Sequence, residues 1–158
     1  MTQSPLIDLH RENVRPDWVD YNGHMNVAYY VLVFDHATDA LLDFIGLNQS
    51  HRECTGCSVF VAEAHLTYEK EALENDMLRI STQVLDADEK RIHIFHRMLS
   101  NNSDHLIATN ELMILSVDLT TRRVTPLARK IMANLRPIIA SHSKLTRPEQ
   151  AGRVIGIR

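Results

Sequence analysis

Apolar positions change their period along this chain, and the changes mark its elements. From Val27 to Ile45 they recur at helical spacing, at Val27, Val31, Phe34, Leu41 and Ile45. Leu32, Ala37, Leu42 and Phe44 widen the stripe, and no Pro or Gly interrupts it. A helix this apolar is expected to be buried along most of its length. Asn26 stands at the N-cap, where its side-chain oxygen can accept from first-turn N–H groups, and Gly46 stands at C′.

The rest of the chain alternates with the period of strands. Leu6 to Val14 predicts a first strand, closed by Arg15-Pro16 because Pro cannot donate to a ladder. Asn48 to Gly56 is a polar loop with room for helical turns. Four strand-like runs follow: Cys57–Glu69, Met77–Leu85, Arg91–Leu99 and His105–Leu119. Polar turn signals at Asn75-Asp76, Asp86–Lys90 and Asn101–Asp104 separate the four, which argues for an antiparallel meander. A last helix is expected from Pro126 to about Arg136, with Thr125 as cap and Pro126 at N1. The tail from Ser141 is polar and basic and predicts no element.

The order is an α+β one: strand, long helix, four antiparallel strands, helix. One sheet wrapped around one helix covers only one helix face and leaves open edges. A homodimer joining two sheets edge to edge answers part of that need.

Composition narrows the classes. A chain of 158 residues with 44% hydrophobic content predicts one domain with one core. Its net charge is −3 with scattered Lys and Arg, so no nucleic-acid footprint is visible. No run approaches a membrane span or a signal peptide, and the expected location is the cytoplasm. Cys54 and Cys57 form a lone CxxC with no second pair for zinc, and Cys57 leads into a strand instead of a redox helix.

The chemistry gathers where the long helix begins. Asp20, Asn22, Gly23, His24 and Asn26 crowd beside its unpaired N–H groups. Such a terminus favours developing negative charge and can serve as an oxyanion site, with the N–H groups near Val27 and Ala28 as donors. The same residue types also make an Asx-type turn and an N-cap for purely local reasons.

The stretch Asp20-x-x-Gly23-His24-Met25-Asn26, then Tyr30 and Phe34-Asp35, resembles the hotdog-fold acyl-CoA thioesterases of the 4-hydroxybenzoyl-CoA thioesterase type. Their usual pattern is D-x-x-G-H-V-N-N-x-x-Y-x-x-x-F-E. Val27 departs from it at the second Asn and Asp35 at the Glu. Ala108–Glu111, Val117-Asp118, Thr121-Arg122 and Pro126 resemble that family's last strand and exit. No Phe-Pro follows His24, unlike the dehydratases that share the fold. More narrowly, RPDWVDYNGHMNVAYYVLVFDHATDALLD, TGCSVFVAEAHLTYE and RPEQAGRVIGI resemble the betainyl-CoA thioesterases of bacterial carnitine catabolism.

The resemblance implies a hotdog fold, a homodimer or homotetramer, and an acyl-CoA substrate, with no cofactor and no metal. It implies that Asp20 acts as general base or nucleophile, with His24 and Asn26 orienting the thioester or water. A trimethylammonium acyl group would want aromatic faces; Trp18, Tyr21, Tyr29, Tyr30 and Phe60 are at hand. Glu63 and His65 could reach the acyl pocket across a dimer interface or simply form a solvated or hydrogen-bonded sheet end, and Lys144, Arg147 and Arg153 could meet the CoA phosphates or form a solvated basic tail. Asp35, Asp39 and Asp43 lie four apart and repel slightly, so that stripe is expected to face water or cations, with Asp35 the one that could face the site. The alternatives are another short-chain or aromatic acyl-CoA, or a module that binds acyl-CoA without cleaving it.

Overall fold

Asn26 and Gly46 set the limits of the central helix, the first by its side-chain oxygen and the second by having no Cβ. In the computed structural model, which describes residues 5–157, α1 runs Val27–Ile45. Asn26 Oδ1 accepts from Ala28 N–H, and Gly46 closes the helix at φ 94°, the left-handed conformation that favours glycine. Asn134 Nδ2 donates to the Ile45 carbonyl at 2.9 Å, which satisfies one of the free acceptors at that end.

The strands are β1 (Ile7–Asn13), β2 (Cys57–Tyr68), β3 (Met77–Ala87), β4 (Arg91–Ser100), β5 (Leu106–Asp118) and the short β6 (Arg123–Val124). They form one antiparallel sheet in the order β1-β3-β4-β5-β2, with β6 beside β5. A 3₁₀ turn spans Pro16–Trp18, and α2 (Gln49–Thr55) is a short helix within the stretch that the sequence read as a polar loop with room for helical turns. The α+β expectation holds.

The sheet curls around one side of α1 only. Tyr30, Val33, Phe34, Ala37, Thr38, Leu41 and Ile45 are buried. Val27, Val31, Leu32 and Phe44, placed by the sequence in the apolar stripe, are exposed, because the strands meet only the opposite face. Asp35, Asp39 and Asp43 are exposed as well. Partial burial, then the charges of Asp35 and Asp43, raises the Asp39 carboxyl.

Two apolar clusters fill the interior. One packs Trp18, Met25, Tyr30 and Phe34 against Leu78, Ile80, Met98 and Ile107. The other packs Leu41 and Ile45 against Ile92, Ile94, Leu112, Leu127, Ile131 and Leu135. Between them sits a polar trio. His96 Nε2 lies 3.0 Å from Thr38 Oγ1 and its Nδ1 lies 2.8 Å from Thr82 Oγ1.

The last helix starts later than its sequence signals. Thr125 N–H donates to Ser116 O and Leu127 N–H to Glu89 O, so both residues still belong to the sheet's margin. Ala128 becomes the N-cap, and α3 runs Arg129–His142 with Pro137 inside it. His142 is buried and takes Val84 N–H on Nδ1, while its Nε2 donates to the Pro5 carbonyl. The tail then crosses the sheet's outer face. Gln83 Nε2 reaches Thr146 O, and Gly152 N–H donates to Glu111 Oε2. Gln83, Phe95 and Glu111 are register partners on neighbouring strands, which accounts for an outward Phe95 with no exposure.

Candidate active site

The segment before α1 is a hydrogen-bonded turn fixed at both ends. Asp20 N–H donates to His24 O and Gly23 N–H to Asp20 O. Gly23 has φ 80°, and an added Cβ would meet nothing within 4 Å; backbone conformation alone calls for glycine there. Met25 N–H donates to Ala72 O and Asn26 N–H to Trp18 O, both at 2.8 Å. The turn is therefore tied to the chain leaving β2 and to the buried Trp18.

This frame orients Asp20. Its Oδ1 accepts from Asn22 N–H at 2.8 Å, and its Oδ2 accepts from Asn26 Nδ2 at 2.9 Å. The Asn22 backbone donor and the Asn26 amide hold the Asp20 carboxyl below its usual range, so it is ionised at neutral pH. Asn26 thus has two jobs: its Nδ2 holds the carboxylate while its Oδ1 caps the helix. Ala28 N–H is occupied by that cap, which corrects its assignment as an oxyanion donor. Val27 N–H, first in the helix, has no acceptor among the described residues and keeps that role as a candidate.

His24 Nδ1 lies 3.1 Å from the Met25 carbonyl. A carbonyl only accepts, so Nδ1 carries the proton and Nε2 of the neutral ring is an acceptor. His24, Met25, Val27 and Tyr30 line one wall of a pocket of about 400 Å³; Tyr68, Glu69, Lys70 and Glu71 line the other. That volume suits a small organic group.

Asp20, Asn26 and Ala28 do not themselves line this pocket; they flank it in sequence through His24, Met25 and Val27, which do. The other sequence candidates lie elsewhere. Trp18 is buried, stacked on Tyr29 at 5.2 Å, with the Arg15 guanidinium 4.9 Å from its ring centre; it belongs to the core. Tyr21 is 97% exposed and does not line the pocket. Glu63 and His65 line a separate recess on the outer sheet face with His93, Glu111 and Arg153. Asp35 is exposed and does not line the pocket. Cys54 and Cys57 are free thiols.

The sequence reading missed Tyr68–Glu71 as a pocket wall, because only the fold brings that exit from β2 beside α1. It also missed a cluster of His10, Glu12 and His36. Glu12 Oε2 lies 3.1 Å from His10 Nε2 and 2.7 Å from His36 Nδ1. Burial pushes Glu12 up, but the hydrogen bonds to His36 and His10 outweigh it and leave the carboxyl lowered. His36 is far from β1 in sequence and meets it only through the packing of α1.

The sequence profile of the thioesterase-like superfamily matches residues 14–135. The chain belongs to that superfamily. It is 39% identical, over 98% of its length and 97% of the other's, to a Pseudomonas aeruginosa protein named betainyl-CoA thioesterase. It is 41% identical over 90% of its length to 29% of a Rhizobium meliloti protein named L-carnitine dehydrogenase/betainyl-CoA thioesterase. A Staphylococcus aureus protein solved in complex with CoA matches all of this chain with all of its own, at a TM-score of 0.90 and 26% identity. The antiparallel sheet curled around α1 is the hotdog arrangement that these relatives share.

Proposed function

We propose that this protein hydrolyses betainyl-CoA to glycine betaine and free CoA. The near full-length likeness to the Pseudomonas aeruginosa enzyme of that name carries the reading. The likeness to the carnitine dehydrogenase fusion supports the same acyl group.

Water adds to the thioester carbonyl, the carbon–sulfur bond breaks, and the products are a carboxylate, CoA thiol and a proton. Asp20 supplies the carboxylate, as base toward water or as nucleophile through an anhydride. Val27 N–H and the positive end of α1 stabilise the carbonyl oxygen as it gains charge. His24 lines the pocket and orients the thioester or water. Asn26 positions Asp20. CoA enters as part of the substrate, no other cofactor is required, and the cytoplasm is the corresponding location.

The assembly in this proposal is a homodimer, or a tetramer built from it. β2 is a long edge strand on which Phe60, Val61, Ala62, Glu63 and Ala64 are all exposed in the lone chain. A second copy paired along it would cover that edge. Light scattering of the purified protein is expected to give twice or four times the chain mass, and Val61→Lys is expected to lower it. A monomeric wild type removes the assembly from the proposal.

The activity test is free-thiol release from a panel of betainyl-CoA, acetyl-CoA, butyryl-CoA and benzoyl-CoA. Betainyl-CoA is expected to show the highest kcat/KM. A neutral acyl-CoA in first place rejects the substrate. Binding of every member without cleavage rejects hydrolysis.

A further inference from the structure

The pocket beside α1 has a charge balance unsuited to the phosphate end of CoA. Its charged wall is Glu69, Lys70 and Glu71, two carboxylates against one ammonium. A site for phosphates needs the opposite excess. The aromatic side is equally specific. Tyr30 and Tyr68 meet edge to face, with ring centres 5.2 Å apart and planes at 90°, and form a right-angled corner. Tyr30 is buried and held by Ala72 N–H at its hydroxyl, 3.1 Å away, while Tyr68 is 47% exposed. The acidic segment is held too. Glu69 and Lys70 N–H both donate to the Ile107 carbonyl, and Ala72 accepts from Met25 N–H and donates to Tyr30. The corner is thus built before any ligand arrives.

We propose that this corner is the acyl-end subsite for a quaternary ammonium group, with the exposed Tyr68 ring as its face, the buried Tyr30 ring behind it, and Glu69 and Glu71 as its counter-charge. Quaternary ammonium carries no N–H and cannot be recognised by hydrogen bonds. Aromatic π faces and carboxylates are the groups that attract it. His24 lines the same pocket. Trp18 and Tyr21, two of the five aromatics that the sequence offered, do not line this pocket. The inference rests on the betainyl-CoA reading for its ligand and extends that reading to the residues that select the ligand.

The test compares betainyl-CoA with 3,3-dimethylbutanoyl-CoA, which replaces the trimethylammonium by an uncharged tert-butyl group of nearly the same shape. Full-length wild type, Tyr68→Leu, Tyr68→Phe and the double variant Glu69→Gln/Glu71→Gln are assayed for kcat/KM on both. Wild type is expected to prefer the cation by tenfold or more. Tyr68→Leu and the double variant are each expected to reduce that preference at least fivefold, and Tyr68→Phe to retain it because the ring survives. Unchanged melting temperatures show that the variants fold. An unaltered preference in Tyr68→Leu and the double variant overturns the subsite while leaving the betainyl-CoA reading intact. If wild type cleaves another acyl-CoA and not betainyl-CoA, that reading fails by itself. Tetramethylammonium inhibition of the cleaved substrate then decides the subsite: competition in wild type that is lost in Tyr68→Leu supports it, and no competition overturns it.

Discussion

Asp20→Asn is expected to lower kcat for thioester cleavage by about 100- to 10,000-fold, the range typical of a lost acid–base or nucleophilic carboxylate. The substitution keeps the shape of the side chain. Its one oxygen can still accept from Asn22 N–H or from Asn26 Nδ2, so the turn is expected to persist and the loss to fall on kcat. What disappears is the charge, which both of those donors stabilise in the wild type. Asn26→Ala separates chemistry from scaffold. It removes the amide that holds Asp20 and the cap on Ala28 together. It is expected to cost about 1 kcal/mol of stability through the cap and to lower kcat less than Asp20→Asn does. Thiol release from betainyl-CoA, with melting curves alongside, measures both. An Asp20→Asn variant within threefold of wild type would take Asp20 out of the mechanism.

The contrast between these residues shows how much of the site was legible in the sequence. Asn26, Gly46 and the limits of α1 were legible because caps act over a few residues, and local spacing reports them. The five longer strands were legible for the same reason, within a residue or two, and the two-residue β6 was not. Their order in space was not: β2 leaves its sequence neighbour β3 and pairs with β5 at the far edge. Thr125 and Pro126 carry the signature of a helix start, yet tertiary hydrogen bonds to Ser116 and Glu89 hold their neighbourhood against the sheet. Trp18 and Tyr21 were reasonable aromatic candidates by proximity in sequence. The structure sends one into the core and the other into water, and Tyr68 takes the place beside Tyr30. Burial and long-range pairing decide those outcomes, and neither has a local signal.

Stability is expected to fall as pH drops from neutrality toward 5, and His96 is the cause. The proton positions follow from its partners. Thr38 Oγ1 donates to the Phe34 carbonyl, so it accepts from His96 Nε2–H. Nδ1 is then the acceptor for the Thr82 hydroxyl. The neutral ring is fully paired, stacked on Phe34 and without exposure. A second proton would confront the Thr82 donor with another donor. Burial, then the charge of nearby His10, pushes the His96 pKa down to about 3 from an ordinary 6.5. Below pH 6.5 the unfolded chain binds a proton that the folded chain refuses, so stability is full above that pH and declines beneath it. The slope approaches about 1.4 kcal/mol per pH unit, and by pH 5 the loss is about 2 kcal/mol, a large part of a typical folding free energy. Glu12 pushes in the same direction, but only as pH falls below the ordinary carboxyl value of 4.5, so urea unfolding between pH 5 and pH 8 leaves it out, and comparison with a His96 variant isolates that histidine from the others. His96→Leu is expected to be less stable at pH 8, because the Thr38 and Thr82 hydroxyls lose their shared partner, at about 1–3 kcal/mol for each group left unsatisfied. Its stability is also expected to be flatter with pH by about the amount that the wild type loses. Equal pH slopes in the two proteins would show that the ring between the two apolar clusters takes up its proton in the folded state.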